Sequence, residues 1–239
     1  MNINNIYINS FKITIILLIF INTTYICHAA EMWGSIIDIE INKKISNLSL
    51  NLEGEYRTRE NFSESERIKT TLEANYKINK YLKIGAGYSF ICYNDIEKEW
   101  GNRHRYFLEA IGDYNIKRFK FSLRERIQGT YREDISEYNK QGIRMRVNPK
   151  YVLRSRAKLE YDYKKSNYSP YLSTELFYTL NDIEENNIYK IRYQIGTEYK
   201  INNNNYINAF FRYTTFHNFN EDNEDDCDKI IGIGYKYKF

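Results

Sequence analysis

The sequence predicts an all-β chain, an antiparallel up-and-down transmembrane β-barrel of 10–12 strands. Three observations carry that prediction. Apolar and polar residues alternate with period 2 from Trp33 to Phe239, as in strands that are apolar on one face and wet on the other. The alternating segments are about as long as a tilted membrane-spanning strand, roughly 9–11 residues. The connections between them alternate short and long, as turns and loops do at the two ends of a membrane barrel.

Composition agrees. Only two prolines, Pro149 and Pro170, interrupt the chain, and proline is the residue a sheet ladder tolerates least. Tyrosine is abundant, with 24 copies, and no long Ala/Leu/Glu run favours helix. Mean hydropathy is −0.67, which argues against a helical membrane protein. A barrel needs only every second residue to be apolar. The plainer alternative, a soluble β-sandwich, has no reason to alternate its loop lengths.

Residues 1–30 read as a signal peptide. Lys12 flanks an apolar core from Ile13 to Ile21, and Cys27-His28-Ala29-Ala30 offers a small-residue cleavage site. The core is too short to anchor, since a spanning helix needs roughly 18 apolar residues. Ile26 ahead of Cys27 argues against lipidation. The barrel is then expected over 31–239.

Taken in order, Trp33–Lys43 places Trp33, Ser35, Ile37, Ile39 and Ile41 on one face. Asn47–Arg59 sets Leu48, Leu50, Leu52 and Tyr56 against Glu53, Glu55, Arg57 and Arg59. Arg67–Ile78 sets Ile68, Leu72, Ala74 and Tyr76 against Arg67, Lys69 and Glu73. Tyr81–Tyr93 carries Leu82, Ile84, Ala86, Tyr88 and Phe90, with Gly85 and Gly87 opposite, leaving room for long side chains across the interior. Arg103–Asn115 sets His104, Tyr106 and Leu108 against Arg103, Arg105 and Glu109. Phe119–Tyr131 sets Phe121, Leu123 and Ile127 against Arg124 and Arg126. Tyr151–Lys164 sets Leu153, Ala157 and Leu159 against Arg154, Arg156 and Glu160. Pro170–Leu180 has Leu172, Leu176 and Tyr178 opposite Ser173 and Glu175. Tyr189–Ile201 and Tyr206–Phe216 put Lys190, Arg192, Glu198 and Arg212 on the polar side. In Lys229–Phe239, Ile231, Ile233, Tyr235, Tyr237 and Phe239 face away from Gly232, Gly234, Lys236 and Lys238.

That makes eleven candidate strands, whereas single-chain bacterial barrels have an even number. Either Trp33–Lys43 is not part of the wall, giving ten, or a strand near Gly142–Val147 makes twelve.

Charge separates by position. The formal net charge is only +4, yet much of the acid falls in the longer connections, including Glu60, Glu64, Glu66, Glu133, Asp182 and the run Glu221-Asp222-Asn223-Glu224-Asp225-Asp226. The inward faces carry a basic ladder of Arg57, Arg59, Arg67, Arg103, Arg105, Arg124, Arg126, Arg154, Arg156, Arg192 and Arg212. Fewer carboxylates share it: Glu53, Glu55, Glu73, Glu109, Glu160, Glu175 and Glu198. Two readings follow. Arg and Glu on neighbouring strands pair and plug a narrow barrel, or surplus arginine lines a small channel that favours anionic solutes.

No catalytic residues, cofactor, metal site or nucleic-acid partner is expected. The acidic run lacks the spacing and turn glycine of a calcium loop. His104 falls on the apolar face, and His217 beside the acidic run is the one candidate base for a rim hydrolase. Cys92 and Cys227 are read as free thiols.

Several stretches together resemble an uncharacterised family of Gram-negative outer-membrane barrels, the domain of unknown function numbered 2490. They are Glu53-Gly-Glu-Tyr-Arg-Thr-Arg59, Ile84-Gly-Ala-Gly-Tyr88, Asn102-Arg-His-Arg-Tyr-Phe-Leu-Glu109, Arg118-Phe-Lys-Phe-Ser-Leu-Arg-Glu-Arg126, Ser169-Pro-Tyr-Leu-Ser-Thr-Glu-Leu-Phe177 and Gly232 to Phe239. The resemblance implies location in the cell outer membrane and brings no site residues. The ending with Tyr235, Tyr237 and Phe239 also resembles the closing strand of such barrels, which implies an assembly signal for barrel-assembly machinery. The expected partners are outer-membrane lipid, lipopolysaccharide, that machinery and a small anionic solute. The expected function is a narrow anion-favouring pore; the alternative is a non-conducting structural barrel whose acidic loops contact lipopolysaccharide, cations or proteins.

Overall fold

Alternation along the chain closes into a cylinder. The computed structural model describes residues 32–94, 99–133, 147–163, 166–183, 185–217 and 227–239. Within them every regular element is a strand: β1 (Met32–Ile45), β2 (Leu48–Arg59), β3 (Glu64–Lys77), β4 (Leu82–Asn94), β5 (Trp100–Ile116), β6 (Phe119–Arg132), β7 (Lys150–Tyr161), β8 (Tyr168–Thr179), β9 (Ile188–Lys200), β10 (Asn205–Phe216) and β11 (Cys227–Lys238). Each strand pairs antiparallel with its neighbour in sequence, and β1 closes the barrel against β11.

The closing pair is parallel, running from Met32↔Asp228 to Asn42↔Lys238. This resolves the strand count. An even number is required only when the first and last strands pair antiparallel. A parallel seam accommodates eleven, so Trp33–Lys43 is a full wall strand and no twelfth is needed for closure. Residues 142–146 of the proposed extra strand lie outside the described residues, as do the expected signal peptide and the acidic run 221–226.

The outer face is apolar. Leu108 is 68% exposed and Leu72 59%, amid a band that includes Ile39, Leu123, Ile195 and Ile233. Proteins in water rarely expose contiguous apolar patches beyond a few hundred Å², so this surface suits lipid. Aromatic residues border the band at both ends. Tyr88, Trp100, Tyr106 and Tyr131 lie toward the end with the longer connections, and Tyr76, Tyr114, Phe119 and Tyr168 toward the end with short turns. From Tyr106 to Tyr114 the strand advances about 27 Å, or about 20 Å along a barrel axis at the usual tilt, a little under the apolar height of about 25 Å of membrane barrels.

Two bulges re-aim side chains. The β2–β3 register shifts after Arg57↔Arg67, to Thr58↔Ser65. The extra residue, Glu66, turns into the barrel beside Arg57 and is buried. This corrects its assignment to a loop. Glu64 also belongs to β3, where it pairs with Arg59 at 3.5 Å, and the connection shrinks to residues 60–63. The second shift, after Phe177↔Lys190 in β8–β9, adds Tyr189 to the inner lining.

Small residues admit large ones. The ring of Phe107 lies against Gly87, and that of Phe210 against Gly232, where a Cβ would occupy ring volume. Asn75 uses the space at Gly85 in the same way. These close approaches let wide side chains lie along the wall instead of blocking the axis.

Candidate functional site

Eleven strands about 4.8 Å apart and tilted about 40° close a ring of radius about 11 Å. An extended arginine reaches more than half-way to the axis of such a ring. Side chains from opposite walls therefore approach one another without filling every level. A cavity of about 480 Å³ remains. It is lined by eight arginines and lysines at Lys69, Lys158, Lys190 and Lys236, against seven carboxylates.

Of the expected basic ladder, Arg67, Arg105, Arg124, Arg126, Arg154, Arg156, Arg192 and Arg212 line this cavity. Arg57, Arg59 and Arg103 lie nearer the long-loop end. Arg57 pairs with Glu66 and with Asp228 at 2.8 Å, and the guanidinium of Arg103 lies 3.6 Å from the Tyr93 ring centroid. Glu53, Glu55, Glu73, Glu175 and Glu198 line the cavity. Glu109 is buried against Arg126, and Glu160 pairs with Lys158 at 2.9 Å toward the short-turn end.

Charge is sorted by side. On β1–β2, Asp38 faces Glu55 and Glu40 faces Glu53 in direct register. On β6–β7, Arg124 faces Arg156 and Arg126 faces Arg154. Like charges directly opposite are destabilising, so each group needs opposite charge from elsewhere. The acidic side obtains it from β3 and β11: Lys69 reaches Glu53 at 2.7 Å and Glu55 at 2.8 Å, Arg67 reaches Glu55 at 2.7 Å, and Lys236 reaches Glu40 at 2.9 Å. The basic side relies on fewer carboxylates. Arg126 bridges Glu109 at 2.5 Å and Glu73 at 3.0 Å, linking β6 to β3. Glu175 accepts from Arg124 at 2.5 Å and Arg154 at 2.8 Å, and meets Arg192 at 3.3 Å. Arg156 stands opposite Glu175 in the β7–β8 register. One carboxylate therefore serves four arginines.

Several lining residues were not visible as such in the sequence. Phe107, Phe177, Phe210 and Tyr171 are aromatic yet point inward, at positions that follow parity rather than hydrophobicity. Phe177 carries three cations around its ring, with Lys190, Arg154 and Arg192 at 4.1, 4.7 and 5.0 Å from the centroid. Tyr171 Oη donates to Asn208 at 3.1 Å and accepts from Gln194 at 2.8 Å. Asp38 and Glu40 join the lining because β1 is a wall strand, a place that the sequence by itself leaves open.

Outside the barrel, at the long-loop end, His104 has a carboxylate partner. Nε2–H donates to Glu133 Oε1 at 2.7 Å, because a carboxylate only accepts. Nδ1 then accepts from Tyr88 Oη–H at 2.6 Å. Asn102 adds a second hydrogen bond to Glu133 at 3.1 Å. The hydrogen bond from His104, with that from Asn102, holds the Glu133 carboxyl below the usual carboxylate range. Both imidazole nitrogens are engaged, which leaves neither to act on a substrate. The acidic neighbours proposed for His217 lie outside the described residues. Cys92 and Cys227 are not joined in a disulfide.

The family described as "Protein of unknown function (DUF2490)" matches residues 31–225. The chain belongs to that family. No curated protein matches it. Among solved structures, this family member is similar to the NanC porin at 14% identity and TM-score 0.51, over 87% of this chain and 98% of that one. It is also similar to the beta domain of the Bordetella autotransporter BrkA at 11% identity and TM-score 0.47, over 83% and 86% of the two chains. The porin likeness supports the barrel fold. The lumen chemistry of this family member comes from its own residues.

Proposed function

We propose that this protein is an outer-membrane barrel forming a narrow, anion-favouring pore. The observation that carries the reading is Glu175, one carboxylate set among Arg124, Arg154, Arg156 and Arg192, with Glu109 adding only a contact at 3.9 Å to Arg124. Rings of arginine and lysine lower the barrier for anions, and a lumen built only for packing would match these guanidinium groups one to one. In this reading the long-loop end faces outward, where loop carboxylates meet lipopolysaccharide. Tyr235, Tyr237 and Phe239, at the end of β11, form the signal that assembly machinery reads. We read the barrel as non-enzymatic.

Conductance across planar bilayers tests the pore. The expected outcome is discrete steps with a reversal potential toward that of chloride, and a smaller preference in the Arg105→Gln/Arg156→Gln variant. The Arg126 bridge between Glu109 and Glu73 favours a second reading, a non-conducting barrel closed by its own ion pairs. Silence from correctly folded protein would establish that reading in place of the first.

A further inference from the structure

The cations nearest the long-loop end of the cavity do not share one environment. Arg154 and Arg192 share Glu175 with Arg124. Three others are different. Arg105 donates from Nε to Thr130 at 3.1 Å, and Arg212 from Nε to Gln194 at 3.0 Å. The ammonium of Lys190 lies only against the rings of Phe177, Tyr189 and Phe216. Among the described residues, none of these three has a carboxylate within ion-pair distance.

The strands bring these groups together. Lys190 stands opposite Phe177, which in turn stands opposite Arg154. Arg212 is opposite Gln194, one inward position along β9 from Arg192. Arg105 reaches in from β5. The charges act on one another across the lumen: Lys190 is repelled by Arg192, Arg154, Arg105 and Arg67, and Arg192 by Arg212, Arg154 and Arg57. Five cations thus converge with Glu175 as the one carboxylate in contact among the described residues, while Glu55 acts on Arg105 and Arg212 from beyond ion-pair distance, an excess that a single monovalent anion would only partly relieve.

We infer that Arg105, Arg154, Lys190, Arg192 and Arg212 form a binding site for the dianionic head of a phosphomonoester. The inference rests on the anion-favouring reading of the lumen and deepens it. Arg154 is held by Glu175 and Gln128, whereas Arg192 reaches Glu175 from Nη1 alone and its Nε has no partner among the described residues; a planar fork of donors matches phosphate oxygens. A phosphomonoester carries close to two charges at neutral pH, because its second proton leaves near pH 6. A sulfate ester or a carboxylate carries one. Toward the short-turn end, Gln194, Tyr171, Asn208 and Ser173 present amide and hydroxyl groups to the cavity, which suits the hydroxyls of a small polar body.

The test is calorimetric titration of the full barrel in detergent at low ionic strength. The probes are a hexose monophosphate, the matching hexose sulfate and a hexuronic acid. The phosphate should bind about tenfold or more tighter than either monoanion, and should lose that advantage as pH falls from about 7.5 to about 5 and the head becomes a monoanion. Arg105→Gln and Lys190→Gln, which each remove an unpaired cation and relieve repulsion, should each weaken phosphate binding about tenfold. Equal affinity for the three probes, or phosphate binding unchanged in both variants, would overturn the assignment. Tight phosphate binding in a barrel silent in bilayers would keep the site and remove the pore. Anion-selective conductance with equal probe affinities would keep the pore and remove the site.

Discussion

Glu175→Gln isolates the electrostatics of the lumen in one nearly isosteric change. The wild-type side chain is 5% exposed and contacts three guanidinium groups at 2.5, 2.8 and 3.3 Å. The partners are buried too, with side chains 8–16% exposed, so solvent screening is weak. Charge-assisted hydrogen bonds contribute about 1.5–3 kcal/mol each, but the glutamine oxygen still accepts one. Removing one partner of a buried ion pair costs about 3–5 kcal/mol, mostly because the opposite charge is left uncompensated. The variant should therefore unfold about 3–5 kcal/mol more easily at low salt, with a smaller loss when chloride or phosphate is raised. Adding Arg192→Gln to Glu175→Gln should recover more than about 1 kcal/mol, as coupled neighbours do. Urea unfolding in lipid vesicles, followed by the fluorescence of Trp33 and Trp100, provides the assay. A loss below about 1 kcal/mol with no salt dependence would refute the reasoning, because surface-like ion pairs behave that way and buried ones do not.

Three further outcomes follow from the wall and its rim. Leu108→Arg, at a position 68% exposed on the outer band, should cost about 2–4 kcal/mol in a bilayer, whereas on a water-facing surface it would be nearly neutral; vesicle unfolding distinguishes the two. Gly232→Leu should push the Phe210 ring off the wall and destabilise by about 1–3 kcal/mol, and the double variant with Phe210→Ala should recover part of that loss in the same assay. Glu133 titrates below the usual carboxylate range because of His104, so its contribution is fully present above the unfolded glutamate value of about 4.3 and is lost as pH falls through the folded value. A carbon-detected NMR titration should show Glu133 returning to the ordinary range in His104→Ala, and an unchanged midpoint would contradict the contact.

Much of this protein is written in local pattern. Side chains alternate strictly across a strand, so parity alone placed Arg67, Arg105, Arg124, Arg126, Arg154, Arg156, Arg192 and Arg212 on the inner face and Leu108 and Ile233 on the outer one. Strand positions could be read to within a few residues because each turn interrupts the period. Where a bulge adds one residue, parity fails. Glu66 looked like a loop acid and is instead a buried partner of Arg57.

Closure and partnership needed the folded chain. That β1 lies parallel to β11 depends on bringing residues 32–42 beside 228–238, a juxtaposition no local window contains. The count of eleven strands follows from it. The same holds for charge balance: the composition shows surplus arginine on the inner faces, but not that Glu175 is set among four of them. Nor does it show that Lys190, Arg105 and Arg212 converge with no carboxylate within ion-pair distance of any of them among the described residues. Period 2 assigns a side chain to a face; only register and strand tilt assign it a level and a neighbour, and the electrostatics of the lumen depend on those.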